Sequence, residues 1–200
     1  MKTPLQYQIT EFDCGRASLI NALLFLLDRE GIRPEALHLI ERATLDNVDE
    51  NCKFGYCGSS EAGFRYFANR MHHYHEQTAF PVDCLFISGR DVSMREGSLL
   101  RDALLQGCVA VSCLLNEGDL HYALLNGICT DDSGDAVVNM FDPYYEAPEC
   151  FLDRRVQVIG DDPFVNRKVR FDVFDDEDAQ NYNFAGYEEK FALLLRRTDR

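Results

Sequence analysis

The chain has 200 residues, 46% of them hydrophobic and 27% charged, and its 34 acidic against 20 basic side chains leave a net charge of −14. That length and apolar content support one sizeable core, and no linker rich in Gly, Ser or Pro divides the sequence, so one domain over residues 1–200 is expected. So acidic a surface repels nucleic acid and anionic membranes, which excludes both as partners, and favours a peptide or protein substrate of basic character.

A polar lead-in, Met1 to Phe12, reaches Asp13-Cys14-Gly15. Beyond it Ala17, Leu19, Ile20, Leu23, Leu24, Phe25 and Leu27 give a helical pattern apolar on most sides, as in a central helix. The run Ser18 to Leu27 is too short to span a bilayer, and Glu11 and Asp13 stand where a secretory signal would carry basic residues. Gly31-Ile32-Arg33-Pro34 breaks this helix; Pro34 to about Thr44 predicts a second, with Pro in its first turn. Cys52 to Gly58 is a loop, and Ser59-Ser60-Glu61 can cap a third helix running to about His75.

The character then changes. Val82 to Ser88 and Cys108 to Leu115 predict buried strands around a helix from about Ser98 to Gln106. His121 to Cys129 and Ala136 to Phe141 are two more strands, joined through Thr130 to Asp135, a turn composition suited to a hairpin. From Glu146 onward the pattern weakens to a strand over Lys168 to Phe174, an acidic turn and an apolar stretch from Phe191 to Leu195. Helices first and antiparallel strands afterwards indicate an α+β fold.

Eight cysteines are scattered through a chain large enough to have its own core, with no secretion signal, which points to reduced thiols in a cytoplasmic protein. Cys14 stands apart, because a thiol at a helix start is favoured as the thiolate by the helix dipole. Gly15 beside it is expected to leave room for a substrate backbone. In the predicted hairpin the first residue of one strand lies across from the last of the next, and those residues are His121 and Asp142. Their midpoint falls at Asp131-Asp132, inside the turn, so a carboxylate can reach an imidazole nitrogen, and Pro143 then ends the pairing. A histidine oriented by a carboxylate is the base that a cysteine nucleophile needs. The plainer alternatives are a helix-start cysteine with no chemistry and a satisfied core histidine.

The segment Gln8-Ile-Thr-Glu-Phe-Asp-Cys14-Gly15-Arg-Ala17-Ser-Leu19 resembles the start of the C39 family of bacteriocin-processing peptidases, in which a glutamine six residues before the cysteine precedes an Asp-Cys-Gly signature. His121-Tyr122 opening one strand and Phe141-Asp142-Pro143 closing the next continue the likeness. The resemblance implies a papain-like fold, helices packed on an antiparallel sheet, with a motif-bearing core over about residues 8–145 and an extension over 146–200. It also implies that Cys14, His121 and Asp142 are catalytic and that Gln8 donates its amide to the oxyanion beside the Cys14 N–H, with no cofactor. The chain departs from the family in having Leu120, with Asp119 beyond it, where glycine usually precedes the histidine, and Asn21 where a methionine is usual. It also lacks the membrane spans and exporter to which those peptidases are commonly joined, so cleavage of double-glycine leaders is not implied.

The expected activity is thiol hydrolysis of a peptide or isopeptide bond. An acyltransferase or amidase could use the same residues, and a non-catalytic module could use the same cleft to hold a basic peptide. Cys52 and Cys57 with His72, His73 and His75 have the wrong spacing for a zinc site, and no metal is expected. Cys84, Cys108, Cys113 and Cys129 fall in apolar strands as small core residues. The run Asp172, Asp175, Asp176, Glu177 and Asp178 lacks the glycine of a calcium loop and suits a solvated face. Tyr74, Tyr144 and Tyr145 are candidates either to line a cleft or to be buried.

Overall fold

The computed structural model describes residues 1–51, 53–184, 186 and 190–199. The first helix, α1 (Cys14–Leu26), buries residues on nearly every side, which is why its sequence shows no polar stripe. Two more helices, α2 (Pro34–Ala43) and α3 (Glu61–Thr78), follow it. In α2, Pro34 occupies the first turn and Ala36, Ile40 and Ala43 form the buried stripe. Ser60 caps α3 by accepting from the Gly63 N–H at 3.0 Å. Gly63 itself lets α3 approach α2, since a Cβ there would lie 2.3 Å from the Ala43 carbonyl oxygen.

The strands are β1 (Val82–Ser88), β2 (Val109–Asn116), β3 (Asp119–Thr130), β4 (Ala136–Phe141), β5 (Val156–Val158), β6 (Arg167–Arg170), β7 (Asn181–Asn183) and β8 (Phe191–Arg197). A short helix α4 (Leu99–Leu105) precedes β2, and a single turn α5 (Phe171–Phe174) follows β6. All pairings are antiparallel, in the order β1-β8-β2-β3-β4-β6-β5, with β7 beside the far end of β2. The fold is therefore α+β. Helices α1 and α3 pack on one face of the sheet with α2 lying against the two of them, while α4, α5 and the loops after β4 cover the other face. Two covered faces explain why β2 is apolar at almost every position instead of alternating. No described helix is long and apolar enough to cross a membrane.

The hairpin forms as expected: the Asp131 carboxylate accepts the backbone N–H groups of Ser133 and Asp135, both at 2.9 Å, and closes the turn. The C-terminal reading needs correction. The strand expected over Lys168 to Phe174 is half strand and half helix, because Phe171 turns the chain so that Val173 and Phe174 reach the second core. Nor is the chain after Glu146 peripheral, since β8 is an interior strand paired on both sides, between the edge strand β1 and β2. The acidic run is also more than a solvated face: Asp175 accepts from Ser93 Oγ and the Met94 N–H, and Asp176 pairs with Arg155.

Candidate active site

Cys14 is the first residue of α1, and the turn before it is built by Asp13. The Asp13 carboxylate, almost fully buried, accepts the Thr10 N–H at 2.8 Å, the Thr10 hydroxyl at 3.0 Å and the Ile9 N–H at 3.3 Å. Its own carbonyl accepts the Ala17 N–H and starts the helix. One turn on, Ser18 Oγ donates to the Tyr122 carbonyl at 3.0 Å, locking α1 onto β3 directly after His121. Cys14 is enclosed, with 7% of its surface exposed. The space beside Gly15 is not open to substrate either: a Cβ there would meet Ser59 Oγ at 3.0 Å and the Phe64 ring at 3.1 Å. Gly15 serves the packing of α1 on α3.

His121 Nε2 lies 2.7 Å from Asp142 Oδ1, and the Cys14 thiol is near enough to the same imidazole to act on its charge. With Nε2 on the carboxylate, Nδ1 is the nitrogen left for the sulfur. The two residues are not directly opposite. Continuing the register Leu124↔Phe141 brings Asp142 level with Ala123, two residues from His121 and on its face. That placement depends on a bulge at Asn126, where Leu125↔Met140 gives way to Gly127↔Asn139. An unbroken ladder in the Gly127 register would set Asp142 level with Leu124, facing away from His121. The bulged residue is itself anchored, Asn126 Nδ2 donating to the Phe164 carbonyl at 2.5 Å.

Asp142 is fully buried and well supplied with donors: His121, the Tyr144 N–H at 2.8 Å on Oδ1, and the Tyr182 hydroxyl at 2.8 Å on Oδ2. Its main chain is held at both ends by Asn166, which accepts the Asp142 N–H at 2.8 Å and donates to its carbonyl at 2.7 Å. Burial pushes the Asp142 carboxyl up, but the His121 charge and these donors outweigh it and hold the group below the usual carboxylate range. Burial likewise works to lower His121, and the Asp142 charge and hydrogen bond, with the Cys14 contact, raise it well above an ordinary histidine. The pair thus favours an imidazolium beside a carboxylate.

The Gln8 main chain is tied next to Asp142 by an N-terminal strap. Asn21, buried in α1, accepts the Gln6 N–H and donates to the Gln6 carbonyl, both at 2.8 Å, and the Gln8 N–H donates to the Pro143 carbonyl at 2.9 Å. The residue after Asp142 is therefore bonded to Gln8. The side-chain amide donates Nε2 to the Thr10 carbonyl at 2.7 Å, and its Oε1 is enclosed with no partner among the described residues. Of the tyrosines, Tyr144 lies half-buried with its ring 6.4 Å from that of His121, Tyr145 is 71% exposed beside Tyr7, and Tyr74 packs on Phe80 away from the site. Leu120, before the histidine, is 55% exposed.

The remaining sequence candidates lie elsewhere. Cys52 falls outside the described residues, Cys57 is exposed, His72 is bonded to Asp83 and His75 to the Phe80 carbonyl. Among the described residues no three His, Cys, Asp or Glu side chains are grouped to hold a metal ion. Cys84 and Cys113 are core residues, whereas Cys108 and Cys129 are half-buried. A cleft of about 560 Å³ opens at the β1 edge between α3 and α4, several strands from Cys14; His72, bonded to Asp83, and the thiols of Cys84 and Cys108 line it, and burial pushes both thiols up, away from the reactive thiolate form.

Sequence reasoning missed Asn166, Tyr182 and the turn-building role of Asp13. The first two lie where the hydrophobic pattern is weak and reach Asp142 only through tertiary contact; Asp13 carried a local signal, a carboxylate three and four residues after Thr10 and Ile9. No protein-family model matches this chain, and neither does any curated protein.

Proposed function

We propose that the protein is a cysteine peptidase of papain-like, C39-like type that cleaves a peptide or isopeptide bond, with Cys14 as nucleophile, His121 as base and Asp142 as its orienting carboxylate. The observation that carries this reading is the buried 2.7 Å contact of His121 with Asp142, on an imidazole that also feels a thiol at a helix start. In the first step the thiol proton rests on His121, as the imidazolium that Asp142 favours, and the thiolate sulfur attacks the carbonyl carbon. The oxyanion that forms meets the Cys14 N–H, one of the helix-terminal donors with no intrahelical acceptor, and the Gln8 amide. Collapse to a thioester expels the amine with the proton from His121. Water, deprotonated by the same imidazole, then releases the acid and restores the thiol. The acidic surface favours basic segments as substrates, and seven described free thiols suit the reducing cytoplasm.

The test is digestion of a peptide library followed by mass spectrometry of new termini. Wild-type protein should generate termini that Cys14→Ala and His121→Ala both fail to produce. Cleavage that persists in Cys14→Ala would refute the assignment, and amide adducts formed with an added amine would show acyl transfer instead.

A further inference from the structure

Tyr182 occupies an unusual position for a buried tyrosine. It is the middle residue of β7 and is fully enclosed, and its backbone has φ of +64°, a left-handed conformation that non-glycine residues enter only under constraint. The constraint is visible at both ends of the strand: the Glu117 N–H donates to the Gln180 carbonyl at 2.7 Å, Asn181 Nδ2 to Asn116 Oδ1 at 2.7 Å, and Asn183 Nδ2 to the Ala179 carbonyl at 2.5 Å. The ring is stacked on Phe151 at 5.8 Å, and the Arg167 guanidinium lies over that Phe151 ring.

A buried phenol needs an acceptor, but a backbone carbonyl would suffice. Here the acceptor is Asp142 Oδ2, the carboxylate oxygen that His121 does not use, and among the described residues Tyr182 is the only donor to it. Arg167, itself 3% exposed, donates Nε to the Tyr182 hydroxyl oxygen at 3.2 Å, so that hydroxyl has its lone pair engaged and its proton directed at the carboxylate. Holding each oxygen on a different donor stops the carboxylate from rotating, and Oδ1 stays on His121 Nε2.

We propose that Tyr182, backed by Arg167, is a positioning residue for the thiol site, clamping Asp142 in the ionised form and in the rotation that orients His121. This rests on the cysteine-peptidase reading and makes the segment from Arg167 to Asn183 a working part of that site. Burial and the Asp142 charge keep the Tyr182 hydroxyl well above an ordinary tyrosine, against the opposing influence of Arg167, so it remains a donor. The charged and titratable groups that act on Asp142 or sit around it are His121, Cys14, Tyr182, Tyr144, Glu146 and, through the phenol, Arg167.

The sign follows from the direction of the Asp142 shift. A depressed carboxyl keeps its charge until pH falls through its native value, and Tyr182 is one of the donors that depress it. Tyr182→Phe should therefore raise the acid-side midpoint at which the His121–Asp142 contact is lost, by about one pH unit, the low end for a hydrogen bond to a charged group. The full chain labelled with ¹⁵N-histidine is titrated from pH 8 downward by NMR, and the His121 Nε2–H signal is identified by its loss in His121→Ala. The midpoint should move up in Tyr182→Phe while the other four histidines titrate unchanged. Should Tyr182→Phe fail to fold, 3-fluorotyrosine placed at position 182 is a stronger donor and should move the midpoint down. A His121 titration that ignores either change overturns the proposal. Alkylation of Cys14, run in parallel, separates the two claims: labelling that does not depend on His121 in the otherwise native protein refutes the peptidase reading itself.

Discussion

Replacing Asp142 by Asn keeps the shape of the side chain and removes its charge. In the native site three donors converge on the carboxylate, at 2.7 Å from His121 and 2.8 Å from each of the Tyr144 N–H and the Tyr182 hydroxyl. An amide offers one oxygen and an NH2 group. If the oxygen keeps His121 and Tyr144, the NH2 faces the Tyr182 hydroxyl, whose oxygen already accepts from Arg167 Nε, and one buried donor is left without an acceptor. That costs about 2 kcal/mol, within the range for an unsatisfied buried polar group. For a chain of this size it corresponds to a fall in Tm of about 4–8 °C. The electrostatic consequence is separate. Burial alone would lower His121, and the Asp142 charge is the largest influence raising it, so the imidazole of the variant should give up its proton at lower pH than in the native protein. In the native protein the raised His121 contributes stability that is fully present below its unfolded value and is lost as pH rises through its native one. The depressed Asp142 contributes stability that is lost as pH falls through its own. The variant should therefore lose both limbs of that pH dependence. Differential scanning fluorimetry across pH, with Cys14 alkylation rates at each point, measures both effects. Asp142→Asn that labels at the native rate from pH 5 to 8, about the range over which histidine titrates, with unchanged Tm, would refute the claim that Asp142 governs His121.

Three further outcomes are expected. Brief alkylation at about pH 6 should mark Cys14 ahead of the exposed Cys57 and Cys150, despite its burial, and His121→Ala should abolish that preference by peptide mapping. Gln8→Ala should leave the unfolding midpoint near native and lower turnover by roughly a hundredfold to a thousandfold, the usual loss for one oxyanion donor; unchanged kcat would remove Gln8 from the site. Gly15→Ala should destabilise the protein by about 1–3 kcal/mol in denaturant titrations, because Ser59 and Phe64 already fill the space a methyl would need.

The sequence by itself determined what depends on neighbours along the chain. Helix α1 was legible from an apolar pattern too dense for a surface helix, α2 from Pro34 and its stripe, α3 from the Ser60 cap, and the β3–β4 hairpin from its Asp- and Gly-containing turn. Cys14, His121 and Asp142 could be singled out because each stands at the end of such an element, and the symmetry of the hairpin brought the last two within reach. The tertiary structure decided what depends on partners far away in sequence. That β8 inserts between β1 and β2 follows from burial on both faces, which a short apolar run shares with many segments outside a sheet. Which side of the sheet Asp142 faces turns on one extra residue at Asn126, and a strand's period of two makes that single residue enough to reverse it. The donors that hold Asp142, from Asn166 and Tyr182, come from segments with little pattern of their own, because a buried hydrogen bond selects its partner by position in space and leaves no periodic mark in the sequence.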